Sequence, residues 1–153
     1  MPKILKTSTA VLKRGKYPPH GEIHAEVKGN IVRYIASGPF NTELNAAYEE
    51  VQKSILSAMA SKGAWGDLTI FHHSAMESTS ALEAYSKSLE NYMMQGMVPV
   101  ATAFVLGPDV EGAQIMGVRY AKIYADLGMP FMIFQQTDEA EAWLQAKIRM
   151  ATS

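Results

Sequence analysis

The segment FHHSAMESTS, Phe71 to Ser80, gathers two adjacent histidines, one glutamate and four hydroxyls in ten residues. Three chemistries use such residues. His72, His73 and Glu77 offer nitrogen and carboxylate ligands to a zinc ion, the starting point of a metal-assisted hydrolase. Adjacent residues at a strand end project to opposite faces, however, so one ion cannot take both histidines unless the strand has already turned. The spacing reads instead as one buried and one exposed histidine. A nucleophile at Ser74 or Ser78 needs a histidine that is itself oriented by a third group, and neither serine sits in a Gly-x-Ser-x-Gly elbow. Asp67 lies at the far end of the preceding apolar run, out of reach of that role. We therefore assign no catalytic residue, no metal ligand and no cofactor. The third chemistry is phosphorylation. Ser80-Ala81-Leu82-Glu83 fits the S-x-x-E capping box, which makes Ser80 the expected helix cap. Ser78 and Thr79 are then free beside the positive end of a helix dipole, where a phosphate is favoured.

The elements that must position these residues follow from periodicity. EIHAEVKGNIVRYIASG reads as a hairpin, with Ile23, Ala25 and Val27 alternating with polar neighbours and Gly29-Asn30 at the turn. From Asn41, an expected N-cap, Leu44, Ala47, Tyr48, Val51, Ile55, Ala58 and Met59 share one helical face, and Gly63 closes that region. Leu68 to Phe71 is a strand apolar on both faces, followed by a helix from about Ala81 to Gly96 with Leu82, Tyr85, Leu89, Tyr92 and Met93 inward. Val100 to Leu106 is a further strand, stopped by Gly107-Pro108. Asp109 is the expected cap of a third helix that buries Met116, Tyr120, Ile123, Tyr124 and Leu127. FMIF is the fifth strand, and Thr137 opens a last helix with Ala140, Trp143, Leu144 and Ile148 inward. Strands that are apolar on both faces and alternate with helices imply parallel pairing with right-handed crossovers.

Bulk properties narrow the class. A chain of 153 residues with 48% hydrophobic and 19% charged residues suits one folded domain rather than a disordered segment. It has no cysteine, which excludes disulfides and thiolate chemistry. No apolar run nears the roughly 18 residues of a membrane span, and the N-terminus lacks the apolar core of a secretory signal, so a cytoplasmic location is expected. The first 16 residues carry five basic side chains and no acid, leaving the rest at a net charge of −6. An acidic body of this kind argues against nucleic acid as a partner. We divide the chain into a basic N-terminal arm, 1–21, and a single α/β domain, 22–153.

The order ββαβαβαβα and the ending FQQTDEAEAWLQ resemble the STAS fold, named for sulfate transporters and anti-sigma factor antagonists, and in particular its SpoIIAA-like bacterial branch, over about residues 22 to 150. The resemblance implies an α/β fold with a single mixed, mostly parallel five-stranded sheet. It also implies helices wound on one sheet face, which leaves the other to be covered by the N-terminal arm or by a second copy in a homodimer. Anti-sigma antagonists carry an Asp-Ser-Ser-Gly-Leu motif whose serine a kinase phosphorylates. Here the matching stretch is Ser78-Thr79-Ser80-Ala81-Leu82, with Thr79 at the hydroxyl position and the aspartate and glycine replaced. Function is expected beyond the carboxyl ends of the strands. The candidate ligand or partner surface there is His72, His73, Ser74, Glu77, Asp109 and Gln135.

The expected role is a non-catalytic binding or regulatory domain for a protein partner or a small apolar ligand. The second alternative is a metal-assisted hydrolase using His72, His73 and Glu77, and the first is a lipid or apolar-ligand carrier of Sec14-like type. Its sequence support is a group of methionines near element ends, Met93, Met94, Met97, Met129 and Met132, that are read otherwise as core filler. Tyr85, Tyr92, Tyr120 and Tyr124 are read likewise as core.

Overall fold

The computed structural model describes residues 5–9 and 21–152. Two antiparallel pairings open the sheet: β1 (Leu5–Ser8) lies beside β2 (Glu22–Lys28), which turns at Gly29 into β3 (Ile31–Ser37). Gly29 has φ +63°, the left-handed backbone that a two-residue hairpin turn requires. Three βα units follow. Helix α1 (Thr42–Ala60) leads to β4 (Gly66–His72), α2 (Thr79–Met94) to β5 (Ala101–Val105), and α3 (Ala113–Asp126) to β6 (Phe131–Phe134). Strands β3 to β6 are parallel, the strands lie in sequential order across the sheet, and α4 (Thr137–Thr152) closes the chain.

The sheet thus has six strands, one more than the sequence pattern yields. The extra strand is LKTS, four residues from the arm that are too few and too polar to show a period of two. Beside it the buried Thr9 accepts the Ile23 N–H at 2.9 Å.

Helices occupy both faces of the sheet, not one. The connections β3-α1-β4, β4-α2-β5 and β5-α3-β6 share one hand, so α1, α2 and α3 pack on one face over Val32, Tyr34, Phe71 and Phe104. Helix α4 has no strand after it and is free of the crossover rule. It crosses to the second face, where Ala140, Leu144 and Ile148 pack on Leu68, Ala101, Ala103 and Val105. Gly66 permits the approach, since a Cβ there would stand 3.1 Å from the Leu144 side chain. Arg33 and Glu141 pair between β3 and α4. The remainder of this face, on β2 and β3, carries Glu22, His24, Glu26, Lys28 and Arg33 beside Ile35.

Two helix starts differ from expectation. Asn41 caps α1 as expected, its side chain accepting the Leu44 N–H at 2.9 Å. Helix α2, however, begins at Thr79, and its cap is Ser78, which accepts the Ala81 N–H at 3.1 Å, rather than Ser80. The reason lies upstream: Glu77 is still paired in a short parallel bridge with Phe40, so the extended chain ends there and the first residue after it becomes the cap. Helix α3 starts after Gly112, in the left-handed region and without a side-chain cap. Asp109 falls instead in the exposed turn that Val110 closes by donating to the Gly107 carbonyl.

Candidate functional site

Beyond the end of β4 the chain does not leave the sheet at once. His73 adopts φ +66°, a left-handed conformation that histidine tolerates better than most residues, and across it Ser74 N–H donates to the His72 carbonyl at 2.7 Å. The next residues run on as an irregular extension between two neighbours. Gly38 and Phe40 donate to the carbonyls of Ser74 and Met76, while Ala75 N–H donates to Glu111 O and Glu111 N–H to His73 O. Gly38 is required for this approach, because a Cβ there would lie 2.3 Å from the Ser74 carbonyl oxygen. The stitching fixes Glu77 at the mouth of the space under α1 and α2.

The sequence candidates separate accordingly. His72 and His73 are both exposed, which corrects the reading of one buried and one exposed histidine: His72 ends the strand on its open side, and the turn at His73 carries the next side chain outward. Ser74 is buried and structural, donating to the Glu111 carboxylate at 2.7 Å and accepting from Met76 N–H at 3.1 Å. Asp109, Gln135 and Thr79 are exposed near strand ends, and Ser78 is occupied by capping. Glu77 turns to the cavity beneath α1 and α2 and takes its partners there. Among the described residues no group of three His, Asp or Glu side chains is arranged to hold a metal ion.

That cavity has a volume of about 40 Å³, room for a few waters at the roughly 10–15 Å³ that each needs. Its floor is Tyr34, Ala36, Thr69, Phe71 and Phe104 from the sheet, and its walls include Phe40, Leu44, Tyr48, Tyr85 and Tyr120. The rings form a continuous cluster. Phe71 stacks on Tyr120 at 5.8 Å, Phe104 meets Tyr120 edge-on at 5.1 Å, and Tyr85 meets Tyr120 edge-on at 6.2 Å. Asn45, Glu77 and Tyr85 are the half-exposed members of the lining and mark its open side.

Polar groups converge on this apolar space. Tyr120 OH donates to Glu77 Oε2 at 2.7 Å, and Asn45 Nδ2 donates to Glu77 Oε1 at 3.2 Å and to the Ala81 carbonyl at 2.8 Å. Three separate segments therefore meet at one carboxylate. Burial pushes the Glu77 pKa up, and the hydrogen bonds from Tyr120 and Asn45 offset part of that rise. Among the described residues no lysine, arginine or histidine lines the cavity. Tyr34 is 1% exposed; its ring meets Tyr48 edge-on at 5.5 Å, and its hydroxyl lies among the side chains of Tyr48 and Gln52. Below, Asp67 is also buried, with Trp65 Nε1 donating to it at 3.1 Å; desolvation raises its pKa to about 7, and the indole bond opposes the rise.

The methionine group takes no part, since none of its members lines the cavity and Met93, Met94 and Met132 are exposed. Tyr85 and Tyr120, read from helical spacing as core, are part of the lining. Helical period reports that a tyrosine is inward but not whether its hydroxyl meets a neighbour or a cavity, so the sequence offered no signal for their convergence with Glu77.

A solved structure of an uncharacterised protein of the DUF3478 family from Shewanella loihica, described as having a SpoIIAA-like fold, superposes on 86% of this chain and 98% of its own, with a TM-score of 0.52 and 17% identity. The fold of this chain is SpoIIAA-like. At that identity the likeness extends to the STAS-type architecture and not to the residues of the cavity. No protein-family model and no curated protein matches the chain. No helix among the described residues is long and apolar enough to cross a membrane.

Proposed function

We propose that this STAS-like domain is a non-catalytic binding module that takes a small, largely apolar ligand into the cavity between the sheet and helices α1 and α2. The observation that carries the reading is the cavity itself: aromatic walls enclose a carboxylate with spare acceptor capacity. Few convergent polar groups in an apolar concavity are the usual composition of a ligand site. The Glu77–Tyr120–Asn45 hydrogen bonds join α1, α3 and the loop before α2, so an entering ligand competes with contacts that hold three helices together. Native mass spectrometry of the purified protein should show a small-molecule adduct that the cavity-filling variant Ala36→Leu lacks. Adduct-free protein, together with no response of cavity residues to small apolar probes in NMR, would remove this reading.

A second reading, recognition of a protein partner, is favoured by a different feature. A groove between α3 and β6 carries Ile115 and Val118, 58% and 73% exposed, beside Ile133, Pro108 and Gln135 at the strand ends. Thr79, exposed in the first turn of α2, is the phosphate acceptor this reading would use, and intact mass of protein from a native-like host tests it directly.

A further inference from the structure

The cavity lining specifies the charge of what it would hold. Glu77 is an acceptor of up to four hydrogen bonds that receives two, both from neutral donors. Anions are disfavoured there, since Glu77 stands at the opening and Asp67 lies on the same face of β4 as the lining residues Thr69 and Phe71. A neutral alkyl group would fit the walls but leave the carboxylate without a new partner. A cation with N–H donors suits both the walls and the carboxylate. Aromatic rings carry negative faces, so clustered rings next to a carboxylate form the surroundings in which ammonium groups are held, by cation–π attraction and by N–H donation.

We propose that the cavity binds the ammonium group of a small amine, with Glu77 accepting its N–H donors among the rings of Phe40, Tyr48, Tyr85 and Tyr120. The proposal rests on the reading of the cavity as a ligand site and adds the chemical class of the ligand. The volume of about 40 Å³ suits a compact head group, and any longer alkyl chain would have to leave past Asn45 and Tyr85.

The test compares three nearly isosteric probes on the full chain: tert-butylammonium, tert-butanol and pivalate, titrated near pH 8, where the alkylammonium is charged. The amine is expected to shift the amide signals of Asn45, Glu77 and Tyr120 saturably and to bind at least about tenfold more tightly than the alcohol, a difference of about 1.4 kcal/mol. Pivalate is expected to shift none of them. Glu77→Gln should reduce amine affinity to the level of the alcohol while leaving the alcohol's own shifts in place. Equal binding of amine and alcohol by the unaltered protein would overturn the charge assignment and leave the ligand-site reading standing. Failure of all three probes to move any cavity signal would overturn both. The comparison in the unaltered protein decides the matter even where Glu77→Gln does not fold.

Discussion

Asp67 and Glu77 are carboxylates taken out of water on the same side of the sheet, and among the described residues neither has a cation beside it. For Asp67 the consequence is a pH dependence of unusual sign. Its folded pKa, about 7, lies above the ordinary carboxylate value of 3.8, so the folded chain binds its proton more tightly than the unfolded chain does. Its contribution to stability is complete below the ordinary value and is lost as pH rises through about 7. Urea unfolding should therefore give a lower midpoint at pH 8 than at pH 5, with Asp67→Asn reducing the difference. A midpoint that rises over this interval in step with Asp67 ionisation would contradict the burial of that acid. Tyr120→Phe keeps the ring and removes the donor to Glu77, so the Glu77 carboxyl, followed by carbon-detected NMR, should titrate at still higher pH. The lost hydrogen bond to a charged group should cost about 1.5–3 kcal/mol.

At the scale of the element, the start of α2 separates pattern from context. Ser78, Thr79 and Ser80 are all acceptable caps by residue type, and the glutamate at 83 favours Ser80 by the capping-box spacing. The pairing of Glu77 with Phe40 across the loop decides otherwise. Ser78→Ala should cost about 1 kcal/mol in chemical denaturation, whereas Ser80→Ala, at an exposed helical position, should be close to neutral. The reverse order of effects would restore the capping box. The same stitched loop rests on Gly38, and Gly38→Ala, forced against the Ser74 carbonyl, should destabilise by about 1–3 kcal/mol and loosen the position of Glu77.

For the whole molecule the decisive element is α4. Its apolar face covers the second side of β4 and β5, where Leu144 is fully buried. Leu144→Asp should detach the helix and expose Leu68, Ala103 and Val105, giving dye binding and self-association in size-exclusion chromatography; a variant that stays monomeric and dye-silent would show that α4 is dispensable as a cover. The sequence by itself determined the element order, the hairpin at Gly29, the cap at Asn41 and the parallel core strands, because each is written in local period or local turn chemistry. It also located Glu77 near strand ends. Only the tertiary structure decided that α4 lies opposite the other three helices, because a terminal helix is bound by no crossover rule. Only it showed that LKTS joins the sheet, because four residues with a single apolar side chain carry no period. And only packing brought Asn45, Glu77 and Tyr120 together, since a carboxylate's partners from other segments depend on where the chain returns in space and leave no mark on the residues around it.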